Sequence, residues 1–257
     1  MIDPFSMTDR VVLLTGATGG IGEATARLMA RAGAELVLSS NEPDRLADLA
    51  AVLRTDGCRV HILPCDLGEA DAVRALARDA QALAGRIDGL ICNGGMEGHV
   101  GPISEASDAA IDTLFAVNLR SAMALTAELI PGMAERGRGS VVFVASIAGL
   151  RGNKAIGLYG VAKAGLIQLA RNLAVEWGPS GVRVNAISPG LIRTPFARPI
   201  LGNPDYLERR LGLTPLRRAG EAGEIASSIL YLASDASGFM TGHNLVVDGG
   251  TTVSDGN

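Results

Sequence analysis

Val11-Val12-Leu13-Leu14 runs straight into Thr15-Gly16-Ala17-Thr18-Gly19-Gly20-Ile21-Gly22, and a helical pattern over 21–32, with Leu28 and Met29 facing inward, follows without a spacer. An apolar β-rich run, a glycine turn and an amphipathic helix in immediate succession form the opening unit of a parallel α/β sheet. Outward from this unit the alternation continues, with further β-rich runs at 35–39, 59–64, 89–92, 140–145, 183–187 and 245–247, about seven strands in all. They are nearly all apolar, as strands buried on both faces must be, and the helices between them supply the crossovers that parallel pairing requires. Gly33, Gly57, Gly85 and Gly178 stand where helices would close in the left-handed conformation. The expectation is a Rossmann-type, doubly wound α/β fold: one domain, a parallel sheet of about seven strands, and helices on both faces.

The chain has 257 residues, 47% of them hydrophobic, enough to bury one sizeable core. A net charge of −4 with scattered basic residues offers no stripe for nucleic acid or an anionic membrane. Uninterrupted apolar runs are short, so no membrane partner is expected. Cys58, Cys65 and Cys92 are odd in number and lack CxxC spacing, which argues for reduced thiols and a cytoplasmic setting. His61, His99 and His243 are isolated from other ligand residues, so no metal site is assigned. Residues 1–8 are expected as a tail or expression remnant outside the fold, and residues 9–257 as the single domain.

In a doubly wound sheet, ligands sit beyond the carboxyl ends of the strands. The first such loop holds Gly16, Gly20 and Gly22, which let the backbone approach a pyrophosphate while the helix amino terminus offers unpaired amides. This reads as a dinucleotide site, with packing glycines as the plainer alternative. After the second strand comes Ser39-Ser40-Asn41-Glu42, without the usual acid for a ribose hydroxyl or the arginine for a 2′-phosphate. With no cation in that stretch or in the glycine turn, NAD is preferred over NADP. Asp66 either accepts from the adenine amino group or forms a capping box with Glu69. Asn93-Gly94-Gly95 either lets the backbone pass the cofactor or is a structural turn. Near the middle of the chain, Tyr159 and Lys163 share one helical face and Ser146 ends the fifth strand. A phenol with a pKa near 10 needs a neighbouring cation to exchange protons around neutrality, and Lys163 is placed to provide it. Tyr159 would then be a general acid or base at a carbonyl oxygen held by Ser146.

With these pieces together the chain resembles the short-chain dehydrogenase/reductase family in its compact form, over essentially 9–251. The family's TGxxxGIG turn matches Thr15 to Gly22, its serine Ser146, its YxxxK Tyr159 and Lys163, its helix asparagine Asn118, and its proline-glycine element Ser188-Pro189-Gly190. The resemblance implies catalytic roles for Asn118, Ser146, Tyr159 and Lys163, with Lys163 also on the nicotinamide ribose and Asn118 maintaining a water chain from Lys163. The cofactor contacts it implies are Gly16, Thr18, Gly20, Ile21, Gly22, Ser40, Asn41, Asp66, Leu67, Asn93, Gly94, Tyr159, Lys163, Pro189, Gly190, Ile192 and Thr194, the last on the carboxamide. Plainer accounts are a satisfied buried amide for Asn118 and a helix start for Thr194. Where many members have Asn-Ala-Gly this chain has Asn93-Gly94-Gly95.

The implied activity is hydride transfer between NAD or NADP and a secondary alcohol or ketone. A cofactor-binding sensor or scaffold, or an epimerase or dehydratase that retains NAD, is the alternative. Residues 191–216 are expected as a substrate lid. Arg151, Lys154, Arg193 and Arg198 either attract an anion or are solvated surface, the second reading preferred. Met96, Leu150, Ile156, Phe196 and Leu201 either line an apolar pocket or are core. The last strand and the helix 222–234 resemble surfaces by which relatives form homotetramers.

Overall fold

A computed structural model describes residues 3–253. In chain order the elements are β1 (Val11–Thr15), α1 (Gly20–Arg31), β2 (Glu35–Ser39), α2 (Pro43–Thr55), β3 (Val60–Ile62), α3 (Ala70–Ala84), β4 (Gly89–Cys92), α4 (Asp108–Phe115), α5 (Ser121–Glu135), β5 (Gly139–Val144), α6 (Gly157–Trp177), β6 (Val182–Pro189), β7 (Ile192–Arg193), α7 (Arg198–Leu201), α8 (Pro204–Gly212), β8 (Gly220–Glu221), α9 (Ala222–Ala233) and β9 (Asn244–Val247). A π-helical turn, Ala116–Arg120, joins α4 to α5.

Seven strands form one sheet in the order β3-β2-β1-β4-β5-β6-β9, every pair parallel. All seven expected strands are present with ends moved by a residue or two. The short pair β7–β8 was not anticipated, because two residues carry no periodicity to read. Side chains alternate between two cores: Val11, Leu13, Leu90, Val141 and Phe143 pack against α3, α5 and α6, while Val12, Leu14, Ile91, Val142 and Val144 face α1, α2 and α9. Both faces are therefore dry, which is why the strands read as unbroken apolar runs. The helical run Asp108–Glu135 is long and apolar enough by composition to cross a membrane, yet its apolar side is core, with Leu125, Leu129, Ile130 and Met133 fully covered. Because β1 lies between β2 and β4, the crossovers reverse direction there and leave a crevice at the carboxyl ends of those two strands.

Two local expectations are corrected. Gly33, Gly57 and Gly85 have positive φ, but Gly178 sits at φ −55° because α6 tightens into a 3₁₀ turn over Gly178–Ser180. The left-handed residue is Gly181, where a Cβ would lie 2.1 Å from the Gly137 carbonyl oxygen. The tail is also not loose where it is described. Met7 is 2% exposed inside the α1–α2–α9 core. Its N–H donates to the Ala32 carbonyl at 2.7 Å, Pro4 accepts from Ala236 N, and the Phe5 ring lies tilted 6.5 Å from that of Tyr231. Residues 1 and 2 of the expected tail lie outside the described residues.

Truncating a covered methionine removes its burial and leaves a cavity. Met7→Ala should cost about 2–5 kcal/mol and lower the melting temperature by roughly 5–15 °C in a chain of this size. An unchanged melting curve in differential scanning calorimetry would return the segment to the status of a tail.

Candidate active site

The crevice is a cleft of about 820 Å³ running from the β1–α1 turn past the ends of β4, β5 and β6 to the 191–216 segment. At its floor the turn is built by backbone proximity. Gly16 adopts φ +63°, and a Cβ there would come within 2.6 Å of the Gly94 Cα. A Cβ at Gly22 would lie 2.0 Å from the Gly16 carbonyl oxygen, and one at Gly20 would lie 2.7 Å from Thr194 Cγ2. No side chain caps α1, so its first amides remain available to an anion. This bare, glycine-walled helix terminus fits a pyrophosphate.

Asn93 fastens the turn from β4: its Nδ2 donates to the Thr15 and Gly16 carbonyls at 3.3 and 2.9 Å, while Asn93 N and Gly94 N both donate to Thr15 Oγ1 at 3.2 Å. Of the residues expected to contact the cofactor, all line the cleft except Gly22, which sits behind the turn. Asp66 lines it too, but makes no capping box: its Oδ1 accepts from Gly68 N at 2.8 Å, and Glu69 caps α3 with no side-chain bond.

At the end of β2 the side chains close into a ring. Thr18 Oγ1 donates to Glu42 Oε2 at 2.7 Å and lies 2.6 Å from Ser40 Oγ, which also accepts from Glu42 N. Arg45, in the first turn of α2, brings to this ring the cation that the stretch Ser39–Glu42 itself lacks. Its Nη1 reaches both Glu42 oxygens at 2.8 and 2.9 Å, and its Nη2 donates to the Thr18 carbonyl at 2.7 Å. The i,i+3 spacing of Glu42 and Arg45 was the available signal. The Thr18 hydroxyl, and then Arg45, hold the Glu42 carboxyl below its usual range.

Beyond β5, Ser146 begins a 3₁₀ turn and accepts from Ala148 N at 3.1 Å, leaving its own proton free to point into the cleft. Gly149 and Gly160 bring this turn onto α6, since a Cβ at either would lie 2.7 Å from facing backbone. That close approach gathers Ser146, Tyr159 and Lys163. The Tyr159 ring lies 5.9 Å from that of Phe196, and Lys163 Nζ is 5.5 Å from the Tyr159 ring centre and donates to the Val144 carbonyl at 2.8 Å. Burial pushes the Tyr159 phenol up to about 12, against the Ser146 hydroxyl, which favours the phenolate; Glu97 raises it further. Burial likewise brings Lys163 down to about 8. The expected acidification is not met in this cleft: burial is the leading influence on the phenol, and the one that opposes it is the Ser146 hydroxyl rather than the Lys163 ammonium.

Asn118 is 2% exposed within the π turn, behind the cleft wall. Its Oδ1 accepts from Met96 N at 3.1 Å, and its Nδ2 donates to the Met96 and Leu114 carbonyls at 2.9 and 3.1 Å. Thr194 starts a 3₁₀ turn without capping it through its side chain. Of the apolar candidates Met96, Ile156 and Phe196 line the cleft and Leu150 and Leu201 do not; of the cations only Arg151 does, joined by Arg210, while Arg193 pairs with Glu221 at 3.2 Å. Among the described residues no group of three His, Cys, Asp or Glu is placed to hold a metal.

Residues 16–252 match a family model described as enoyl-(acyl carrier protein) reductase. The chain is 35% identical over 245 residues to dehydrogenase/reductase SDR family member 4 of Bos taurus, covering 95% of this chain and 88% of that protein. It is 36% identical to nodulation protein G of Rhizobium sp. (strain N33), covering 96% and 98%. Among solved structures it is similar to levodione reductase, with 34% identity, a TM-score of 0.91 and coverage of 96% and 99%. A protein of Beutenbergia cavernae designated an NAD(P)-dependent gluconate 5-dehydrogenase, solved with NADP at low occupancy, has 29% identity, a TM-score of 0.94 and coverage of 98% and 100%.

The displaced Lys163 titration has a consequence for stability. A lysine whose pKa is about 8 when folded carries a penalty for its buried charge that is full below pH 8 and relieved as pH rises toward the unfolded value. Wild type should therefore gain stability relative to Lys163→Met between about pH 8 and 10.5 in chemical denaturation. A gap independent of pH over that window would mean that the folded lysine titrates normally.

Proposed function

The chain belongs to the short-chain dehydrogenase/reductase family, and on that footing we propose that it transfers hydride between a nicotinamide cofactor and a secondary alcohol or ketone, with Tyr159 as the general acid and base. The observation that carries this reading is the convergence of two hydroxyls, Ser146 and Tyr159, beside a buried ammonium, in the same cleft as an uncapped glycine-rich helix terminus. When bound, the dinucleotide supplies or accepts the hydride. Tyr159 and Ser146 hold the carbonyl oxygen, and Tyr159 delivers its phenolic proton there as negative charge develops. A phenol held near 12 is protonated at neutral pH, ready to act as the acid. In alcohol oxidation it takes the proton back.

Lys163 binds the nicotinamide ribose and keeps positive charge near the developing phenolate. Asn118 positions the β4 loop, and its Oδ1 and Lys163 Nζ both face Gly95, where a Cβ would lie 2.6 and 3.3 Å from them. A proton route from Lys163 past Asn118 runs along this gap. Thr194 meets the carboxamide with a hydroxyl not used as a cap, and 191–216 closes over substrate, hinged where β7 joins β8 and where Leu216 N donates to Gly249 O. The assembly is a homotetramer, consistent with an exposed apolar margin at Phe239 and Val246 beside the edge strand β9.

NAD is the favoured cofactor. Glu42 supplies the acceptor for a ribose hydroxyl that the end of β2 lacks, and a 2′-phosphate would face this carboxylate. Arg45 is already committed to Glu42 and the Thr18 carbonyl. Removing the acid frees the guanidinium, so Glu42→Ala should move the ratio of NADP to NAD dissociation constants, measured by calorimetry, about 10–100-fold toward NADP. Tighter NADP than NAD binding by the wild type would refute the assignment.

A panel of secondary alcohols, ketones and an enoyl thioester, assayed with both cofactors, tests the reaction itself. Turnover of the thioester alone, or of substrate without net change in nicotinamide absorbance, would remove the proposal. Tyr159→Phe should lower kcat by at least about 10³-fold while leaving the cofactor dissociation constant within about threefold. Ketone reduction should hold steady up to about pH 8 and decline above it as Lys163 loses its proton, whereas alcohol oxidation should rise with pH.

A further inference from the structure

The end of the cleft away from the glycine turn holds charge that nothing among the described residues neutralises. Arg151 enters from the loop after β5 and Arg210 from α8, and both line the cleft together with Tyr159. Each is withdrawn from full solvent exposure. Among the described residues neither guanidinium has a carboxylate within 4.0 Å or any side-chain hydrogen bond, although most other arginines are paired or bonded to backbone carbonyls. Glu97 is the acid on this part of the wall, and its influence falls on the Tyr159 phenol instead. Burial first, and then the like charge of Arg151, disfavour the cationic form of Arg210, with Tyr206 acting the other way. Two guanidinium groups brought into Coulomb range from separate elements repel each other unless an anion sits between them. Ten N–H donors, five from each side chain, are thus unspent at one end of a site that also presents the apolar side chains of Val100, Ile156, Phe196 and Ile200.

We infer that the substrate is an anion: a secondary alcohol or ketone bearing a carboxylate or phosphate group set away from the reacting carbon, held by Arg151 and Arg210. This rests on the hydride-transfer reading of the cleft. Because Arg210 belongs to the expected lid, engaging the anion also draws α8 toward the β5 loop, so charge recognition and closure are one event. The solvated-surface account still serves Lys154 and Arg198, neither of which lines the cleft.

The test compares matched pairs: 4-oxopentanoate against its methyl ester, and dihydroxyacetone phosphate against dihydroxyacetone. In the holoenzyme kcat/KM should favour the charged member by at least about 30-fold at low salt, and the preference should shrink as ionic strength rises. The better pair identifies the anion as carboxylate or phosphate. Arg151→Gln with Arg210→Gln should cut the charged-to-neutral ratio at least about tenfold, mainly through KM, while Lys154→Gln in the same loop leaves the ratio in place. Equal use of charged and neutral partners by the wild type overturns the inference. So does a ratio that survives the double substitution or falls equally in Lys154→Gln. If no ketone turns over at all, it is the hydride-transfer reading that fails. The anion site is then judged by calorimetric binding of succinate to the cofactor-loaded protein, which the double substitution must abolish for the inference to stand.

Discussion

The cleft depends on one stretch of backbone, Asn93 to Gly95, being squeezed between two other parts of the chain. On one side it meets the β1–α1 turn, where Gly16 tolerates no Cβ because Gly94 Cα is already there. On the other it meets Asn118 and Lys163, which a Cβ at Gly95 would strike. Thr15 and Asn93 fix the first contact with four hydrogen bonds, and Asn118 fixes the second with two to Met96. Because β1 and β4 flank the point where the sheet reverses its order of growth, this seam lies at the mouth of the crevice. The phosphate end and the hydroxyl end of the cleft are thus connected by a chain of contacts that leaves no room for a side chain larger than hydrogen. At Gly94 the constraint is softer, since the one close approach an added Cβ would make is to the movable end of Leu67.

Dryness governs the chemistry at the far end of the seam. Tyr159 and Lys163 are nearly sealed from solvent, and Cys92 beneath them is so buried that its thiol is pushed up to about 12. In such surroundings each group is driven toward its neutral form, so the phenol rises and the ammonium falls. Lys163, brought down to about 8, still carries its charge at neutrality and donates to the Val144 carbonyl at 2.8 Å. A phenol in these surroundings stays protonated at neutral pH, and the phenolate it leaves on giving up the proton is a strong base. Placing an ammonium next to a phenol was a sound reading of the spacing, but spacing carries no information about how much water the surrounding helices exclude.

The same limit separates what could be read from the residues and what could not. Strands sealed on both faces announce themselves as apolar runs, and the glycine turn, Ser146, Tyr159 and Lys163 are visible as types at fixed intervals. Met7 was opaque because its burial comes from Ala32 and the α9 helix, more than twenty residues and more than two hundred residues away along the chain. Gly178 misled for a local reason: Pro179 can enter a 3₁₀ turn, so the helix tightened and postponed its left-handed residue to Gly181. Asp66 and Glu69 had the spacing of a capping box, yet Asp66 closed on Gly68 instead. Gly149 and Gly160 carry no signal in the sequence, because the need for glycine arises only where the facing chain segment lies against each. Arg45 lies beyond the end of β2, but the first turn of α2 returns it to the same place.

Arg45 and the pair Arg151 and Arg210 show how charge is distributed along the cleft. At the adenosine end the cation is spent: Glu42 and a backbone carbonyl take its donors, and the local field is set by a carboxylate with a hydroxyl on it. At the far end, Arg151 and Arg210 are unspent among the described residues, and the influence of Glu97 falls on Tyr159. A buried or half-buried charge left without a partner is costly, and the cost is tolerable where a ligand arrives to supply the partner. On the proposed reading, the asymmetry gives the two ends different requirements, neutral ribose hydroxyls at one and an anion at the other. It also ties α8 to function, because moving Arg210 away removes half of the charge that makes the far end distinct.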